Sequence, residues 1–208
     1  MTQGDIARRR LVSSLRALEH ALVLTAGLAF GWYAGVQAAA ARDQASWAGE
    51  LERQSAAAAS TSRAVRPGHA RRAVHAPRAV VGRLEVPRLG LSAIAREGVD
   101  ARTLRSAVGH VPETALPGEP GNVAFAGHRD TFFRKLKDVK KGDRIVVTTA
   151  GGVYAYDVRE TKVVRPSDVS VLEPTREPAL TLVTCYPFDF IGRAPERFIV
   201  RAVRKDED

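Results

Sequence analysis

Cysteine is almost absent from this chain of 208 residues, because Cys185 is the only one. A single cysteine excludes a disulfide framework within the chain. It leaves two interpretations, a buried inert thiol or a free reactive one. The length also excludes two domains of ordinary size and predicts one domain with a tail.

A strongly basic folded region is also lacking, although the whole chain has a formal charge of +9. Residues 1–78 contain 11 Lys and Arg against 5 Asp and Glu, whereas residues 79–208 contain 21 against 18. A nucleic-acid binder concentrates its positive charge on the folded surface. The distribution therefore indicates that no nucleic acid is bound.

Only one long apolar run is present, ALVLTAGLAFGWYAGVQAAAA at residues 21–41. As a helix it would be about 31 Å long, which is enough to cross a hydrocarbon core. Four arginines precede it, which predicts that residues 1–20 are cytoplasmic and that the bulk of the chain is exported. A cleaved signal peptide is the alternative, because QAAAARD offers small residues for cleavage.

Residues 42–78 are rich in Ala, Arg and Ser, and we predict an extracytoplasmic stalk or linker there. Its Ala-rich start is suited to a continuing helix, whereas the later Pro, Gly and His residues are not. His69 and His75 match no metal motif, so we expect them to be solvated. The neighbouring Arg71 and Arg72 suggest contact with an anionic surface.

Residues 79–208 form the predicted folded domain, which is mostly β. Seven short apolar runs, several alternating with period two, are punctuated by Pro and Gly. TTAGGVY predicts a hairpin with a Gly-Gly turn. DARTLRSA and TFFRKLKD predict short helices, the first with an Asp cap. This pattern indicates a closed barrel or a sandwich.

The chemistry-bearing residues of this domain are few. Cys185 ends the run ALTLVTC before Pro187, where a side chain can leave the core. A nucleophilic thiolate needs a base, and His110 and His128 are the two histidines of the domain. Acyl transfer also needs a hydrogen-bond donor for the oxyanion. Arg197 is a candidate, because it begins the next strand-like run.

Three stretches in this domain together resemble the sortase family. TLVTCYPF resembles the TLxTC signature, GHVPETALPGEPGNVAFAGHRDTFF the segment with the catalytic histidine, and APERFIVRA the segment with the catalytic arginine. They follow the family's order over roughly residues 80–204. YPF and GHRDTFF look most like class D sortases.

The resemblance implies a closed eight-stranded β-barrel with short helices, and a cleft where three catalytic residues converge. Cys185 would attack the Thr carbonyl of an LPxTG-like sorting signal and form a thioacyl enzyme. His128 would act as general acid and base, and Arg197 would stabilise the oxyanion. The acyl group, which is the substrate protein, would then be transferred to an amine nucleophile from a cell-wall precursor or a pilin lysine.

Substrate contacts are predicted for Thr184 and Tyr186, which flank the cysteine, and for Arg193. Arg193 also competes with Arg197 for the oxyanion role, since both follow Cys185 closely. We assign His110 a structural role. No cofactor or metal is predicted. Some sortases bind Ca²⁺, but the spacing of the loop carboxylates resembles no calcium loop: Glu113, Glu119, Asp168, Glu173 and Glu177.

Two other functions remain as alternatives at this point. An L,D-transpeptidase would also be an exported cysteine acyl-transferase, but its compact SxGC-type signature is absent. A catalytically inactive adhesion or scaffold protein could use the same barrel. The predicted location is the cell membrane, with one pass and the catalytic domain outside the cytoplasm.

Overall fold

The computed structural model describes residues 3–60 and 78–205. Residues 61–77 of the predicted linker, which include His69, His75, Arg71 and Arg72, lie outside the described residues. The chain divides into two compact units, Met1–Arg42 and Asp43–Asp208.

The first element is a long helix, α1 (Gln3–Ser60). Its apolar part gives one candidate membrane span, within Leu18–Ala59, which has the length and composition to cross a bilayer. Large apolar side chains in this part are exposed, such as Leu28 and Trp32 at 75% and 79%. The predicted span at 21–41 lies within this helix.

Eight strands follow, and they close into a barrel in the order β1-β2-β3-β4-β7-β8-β6-β5. Closure leaves no open sheet edge, so each strand has two neighbours. Periodicity alone did not distinguish a closed barrel from a sandwich. The closed barrel implied by the family resemblance is confirmed. The strands are β1 (Val80–Val86), β2 (Leu91–Glu97), β3 (Val108–His110), β4 (Asn122–Ala126), β5 (Arg144–Thr149), β6 (Gly152–Val164), β7 (Ala179–Tyr186) and β8 (Glu196–Arg204).

The core fills the barrel with side chains from the inward faces of its strands. Its largest fully buried side chains include Phe125 of β4, Tyr156 of β6 and Leu182 of β7. Burial raises the pKa of Tyr156 to about 12, since an ionised phenolate would lose its hydration there. The barrel interior is therefore a packed core.

The predicted hairpin joins β5 to β6, with Thr149 paired to Gly152. Its two turn residues are Ala150 and Gly151. The turn therefore lies one residue earlier than a Gly151–Gly152 turn, because Gly152 is already the first residue of β6.

The predicted helices are short. DARTLRSA contains α2 (Ala101–Ser106), and the Asp100 carboxylate accepts from the backbone N–H groups of Arg102 and Thr103, as expected of an N-cap. TFFRKLKD instead contains a 3₁₀ helix, Arg134–Asp138. A 3₁₀ turn aligns residues three apart. This spacing buries both Phe133 and Leu136 in the core.

Within the second unit, residues 43–60 of α1 pack against the barrel. Leu51 is buried against Val80 and Ile94, and Trp47 packs beside them. Arg96 lies over the Trp47 ring at 4.2 Å. The Ala-rich composition of this segment predicted a helix but gave no indication of this contact.

Candidate active site

Three strand ends meet at one rim of the barrel. β4 and β7 are parallel, with Ala126 beside Val183, so their carboxyl ends lie together. β8 is antiparallel to β7, so its first residues reach the same rim. His128 follows the end of β4, Cys185 lies near the end of β7, and Arg197 near the start of β8. Topology thus gathers residues that are distant in sequence.

The three residues line one cleft of about 290 Å³, which we call the Cys185 cleft. Cys185 is partly exposed and His128 is exposed, so both are accessible from solvent. Histidine, cysteine and arginine are the residue types that a cysteine acyl-transfer site requires. The full lining is His128, Arg129, Asp130, Cys185, Gly192, Arg193, Ala194 and Arg197.

Arg197 is the direct cross-strand partner of Cys185 in the register of β7 and β8. Its Nη1 donates to the carbonyls of Glu196, at 2.9 Å, and Ala194, at 3.3 Å. These bonds fix the guanidinium while its remaining N–H groups stay available. Arg193 also lines the Cys185 cleft, but it is exposed and lies on the loop 187–195.

The segment that carries His128 is fixed to β7. Gly127 N–H donates to the Val183 carbonyl at 3.1 Å, and Thr184 Oγ1 donates to the Gly127 carbonyl at 2.8 Å. Gly127 also packs against the Phe133 ring, which would lie 2.9 Å from an added Cβ. Only glycine allows this approach without a shift, which explains the glycine before the histidine.

Thr184 and Tyr186, both predicted to contact substrate, lie outside the Cys185 cleft lining. Thr184 is 2% exposed, and its hydroxyl donates a hydrogen bond to the Gly127 carbonyl. Tyr186 belongs to an aromatic cluster, with Phe198 stacked at 6.1 Å and Phe188 edge-on at 6.1 Å. Their observed contacts are with the protein itself.

Arg129 is a residue of the site that sequence reasoning missed. Its guanidinium donates to the carbonyls of Pro187, at 3.0 Å, Gly192, at 3.0 Å, and Phe190. One side chain next to His128 thus holds the loop that follows Cys185. Its position directly after His128 in GHRD was the sequence feature that could have indicated a place near the site.

His110 lies in the core, with no exposed surface. Its Nδ1 lies 2.7 Å from Glu97 Oε2, and its Nε2 lies 3.0 Å from the Ala115 carbonyl. These bonds join β2 and β3 to the following loop. His110 is absent from the lining of the Cys185 cleft, which leaves His128 as the histidine beside the thiol.

The carboxylates considered for Ca²⁺ do not gather into a site. No group of three or more His, Cys, Asp or Glu side chains suited to a metal is found among residues 3–60 and 78–205. Glu119 accepts from the Leu116 N–H at 3.0 Å. The Ser170 hydroxyl and N–H hold the pKa of Asp168 below its usual value. The absence of a cofactor remains a prediction.

A second concave surface, the apolar groove, has a volume of about 210 Å³. It shares Arg197 with the Cys185 cleft, so the two are contiguous. Its walls are mostly aliphatic, which suits an extended apolar peptide segment. The lining is Val99, Val111, Ala126, Val164, Pro166, Asp168, Val169, Val171, Leu172, Val183, Arg197 and Ile199.

The Cys185 cleft carries an excess of positive charge, with three arginines against Asp130. Preorganised positive groups stabilise the negative charge that develops on a carbonyl oxygen during nucleophilic attack. A partly exposed thiol, an accessible imidazole and a fixed guanidinium together define a site suited to cysteine-dependent acyl transfer.

Comparison with known proteins agrees with this fold. The sortase domain model matches residues 84–205, which include the Cys185 cleft. The chain therefore belongs to the sortase family.

Among curated relatives, Sortase D of Bacillus subtilis is 37% identical over 124 residues, which are 59% of this chain and 63% of that protein. Sortase A of Listeria monocytogenes is 34% identical over 111 residues, which are 51% of this chain and 50% of that protein. The match thus spans less than two thirds of either relative.

Solved structures similar to this chain are also sortases. A Clostridium perfringens Sortase D5 transpeptidase is similar with a TM-score of 0.62 and 26% identity, covering 76% of this chain and 94% of that one. Sortase A from Corynebacterium diphtheriae, in a lid mutant, has a TM-score of 0.59 and 34% identity, covering 64% of this chain and 74% of that one. Class D sortases are therefore among its relatives.

Proposed function

We propose that this chain is a membrane-anchored sortase that cleaves an LPxTG-like C-terminal sorting signal between Thr and Gly. It would then transfer the substrate protein to an amine. The observation that carries the proposal is the convergence of Cys185, His128 and Arg197 in one cleft, on a chain that belongs to the sortase family.

The first half-reaction would form a thioacyl enzyme. The Cys185 thiolate, whose proton His128 holds, attacks the Thr carbonyl carbon, and Arg197 donates a hydrogen bond to the resulting oxyanion. The carbon–nitrogen bond then breaks, and His128 gives a proton to the departing amine. The thioester retains the substrate protein on the enzyme.

The second half-reaction would reverse these roles. His128 removes a proton from the incoming amine as its nitrogen attacks the thioester carbonyl, and the carbon–sulfur bond breaks to release the Cys185 thiolate. One amide bond is broken and one is formed, so no oxidant or metal is needed for the balance. In the absence of an amine, water would give hydrolysis.

The apolar groove supports a sorting signal as the substrate. It begins at Arg197 and is lined mainly by Val, Ile, Leu and Pro side chains. Burial of the apolar Leu-Pro part of a sorting signal there would be favourable. The scissile bond would then lie over the Cys185 cleft.

Membrane anchoring is proposed from the helix α1. Its apolar part is long enough to cross a bilayer, and the arginines before it favour a cytoplasmic N-terminus. Alkaline extraction of membranes would retain an anchored chain, and protease added to intact cells would digest an exported barrel. Release of the protein by alkali, or full protection from protease, would contradict this topology.

A fluorogenic LPxTG-like peptide tests the proposed activity. We expect the wild type to cleave it, to transfer the acyl part to an added amine, and to show a thioacyl mass adduct on Cys185. Cys185→Ala should lack all three. Equal signals from wild type and Cys185→Ala would instead favour the inactive scaffold.

A further inference from the structure

A third concave surface adjoins the Cys185 cleft on the side of the loop 187–195. It has a volume of about 560 Å³, and we call it the Arg134 cleft. It shares Arg129, Asp130 and Gly192 with the Cys185 cleft and no residue with the apolar groove. Its lining is Arg129, Asp130, Arg134, Lys137, Phe188, Asp189, Phe190, Ile191 and Gly192.

The positions of these surfaces separate the two substrates of a transfer reaction. A sorting signal in the apolar groove approaches Cys185 past Arg197. The amine that attacks the thioester must come from an unoccupied direction and must reach His128. The Arg134 cleft meets this requirement, because it adjoins the Cys185 cleft and shares no lining residue with the apolar groove.

The wall of the Arg134 cleft is held in place before any ligand arrives. Arg129 donates to carbonyls at both ends of the wall, Pro187 and Gly192, at 3.0 Å each. Phe188 anchors the same segment by packing against the core. A preformed wall lowers the ordering cost of binding.

The Arg134 cleft contains both acidic and basic side chains, and the Arg129 guanidinium at the edge shared with the Cys185 cleft is already bonded to carbonyls of the loop 187–195. Asp130 lies at the edge shared with the Cys185 cleft, whereas Arg134 and Lys137 lie in the 3₁₀ helix beyond that edge. Both side chains are exposed, and among the described residues neither the Arg134 guanidinium nor the Lys137 ammonium has a hydrogen-bond or ion-pair partner. Asp189, on the loop, is the other acid of this cleft.

We propose that the Arg134 cleft binds the acceptor, and that the acceptor is an amine that also carries a carboxylate. Its ammonium end would lie near Asp130 and His128, and its carboxylate would pair with Arg134 and Lys137. This inference rests on the proposed function, since it names the second substrate of the same reaction.

A pair of matched acceptors tests the inference: 6-aminohexanoate and its carboxamide, which differ only in the distal charge. Thioacyl enzyme formed from an LPxTG-like peptide is partitioned between water and each acceptor, and the transfer product is measured against acceptor concentration. For the wild type we expect an apparent KM about three- to tenfold lower for the carboxylate, as one or two exposed ion pairs would give. The preference should shrink at high salt.

The Arg134→Gln/Lys137→Gln variant should lose this preference while cleaving the peptide at the wild-type rate. Arg105→Gln/Lys141→Gln is the matched control, because it removes the same charge from exposed positions outside the three concave surfaces, and it should keep the preference.

Equal use of both acceptors by the wild type, or a preference that survives in Arg134→Gln/Lys137→Gln, would overturn the inference and leave the proposed function intact. Absence of peptide cleavage would overturn both. If the double variant instead lost binding to anionic phospholipid vesicles and the two acceptors behaved alike, the cations would belong to a lipid-binding surface and the inference would be wrong.

Discussion

Cys185 and Arg197 lie directly opposite each other on neighbouring antiparallel strands. Directly opposed residues in such a pair have Cβ atoms about 4.5–5.5 Å apart, so the strand register itself sets the spacing of thiol and guanidinium. Arg193 lies on the exposed loop between the two strands and has no register partner of this kind.

Arg197→Ala should therefore lower kcat/KM for an LPxTG-like peptide by about 100-fold or more, as the loss of an oxyanion donor does. Arg197→Lys should lie between that variant and the wild type, since the ammonium keeps the charge but loses the planar fork. Arg193→Ala is the matched control and should stay within a few-fold of the wild type. A larger loss in Arg193→Ala would reverse the assignment.

Thr184 Oγ1 donates to the carbonyl of Gly127, the residue before His128, at 2.8 Å. Thr184→Val keeps the shape of the buried side chain but removes the hydroxyl. We expect the free energy of unfolding to fall by about 1–3 kcal/mol, because the carbonyl loses its buried donor. The kcat for peptide cleavage should fall as well.

Urea unfolding and steady-state kinetics would measure these two effects of Thr184→Val. Thr184→Ser retains the hydroxyl and should restore most of the kcat, although it loses a buried methyl group. Wild-type kcat in Thr184→Val would show that this bond does not position the histidine.

Arg129 fixes the loop 187–195 with a forked guanidinium that a lysine cannot replace. Arg129→Lys should therefore loosen the loop and expose the bond after Arg193 to trypsin. We expect faster cleavage at that bond by limited proteolysis, together with a lower kcat for the peptide. The apparent KM for the peptide should change little, because the apolar groove contains no residue of this loop.

Arg105→Lys is a suitable control for this experiment, since Arg105 is exposed, belongs to α2 and lies outside the linings of the Cys185 and Arg134 clefts. It should leave trypsin cleavage after Arg193 unchanged. Identical proteolysis of Arg129→Lys and the wild type would mean that the loop is held by other contacts.

Much of this fold could be predicted from the sequence, because alternating apolar residues identify strands directly. All seven predicted strand runs are strands, whereas β3 was missed. Val108–His110 is too short to show a period, and it pairs with β2 only after the chain has passed through α2. The packing of Trp47 and Leu51 was missed for a different reason. An Ala-rich helix shows few apolar side chains, so its buried face is not evident.

The site was predicted unevenly for similar reasons. The nearness of Cys185 and Arg197 follows from a short connection between adjacent strands. The nearness of His128 and Cys185 depends instead on the parallel pairing of β4 with β7, across a connection that contains β5 and β6. Periodicity carries no information on such a pairing, and only the family resemblance indicated it.

Stability should depend on pH through Asp143, at the start of β5. Arg88 donates to this carboxylate through Nε and through Nη2, at 2.6 Å, and Lys140 N–H donates at 2.8 Å. The hydrogen bond from Arg88 chiefly holds the pKa of Asp143 below its ordinary value. A depressed pKa stabilises the fold at pH values above the unfolded pKa of about 3.9, and this contribution is lost as pH falls through the folded pKa.

Asp143→Asn should therefore be less stable than the wild type at pH 7, and the gap should narrow as pH falls below about 4. Urea unfolding at pH 7, 4 and 2.5 measures the gap. Asp189→Asn, at an exposed loop position, is the control and should show no comparable trend. A gap that is constant with pH would contradict the proposed linkage.

The packing of residues 43–60 on the barrel should be detectable at a single backbone amide, that of Ile94. Gln44 accepts from the Ile94 N–H at 2.7 Å and donates to the Ser106 carbonyl at 2.6 Å, so one side chain bonds both β2 and α2. Gln44→Ala leaves both backbone groups without this partner. We expect hydrogen exchange at the Ile94 amide to accelerate, and the free energy of unfolding to fall by about 1–3 kcal/mol.

Gln54→Ala is the matched control for Gln44→Ala, because the Gln54 amide bonds Glu50 within the same helix, at 3.1 Å. That variant should leave exchange at Ile94 unchanged, which separates a lost contact with the barrel from a weakened helix. Unchanged protection of Ile94 in Gln44→Ala would show that residues 43–60 do not hold this strand in solution. The segment would then be a stalk beside the barrel, as its composition alone predicts.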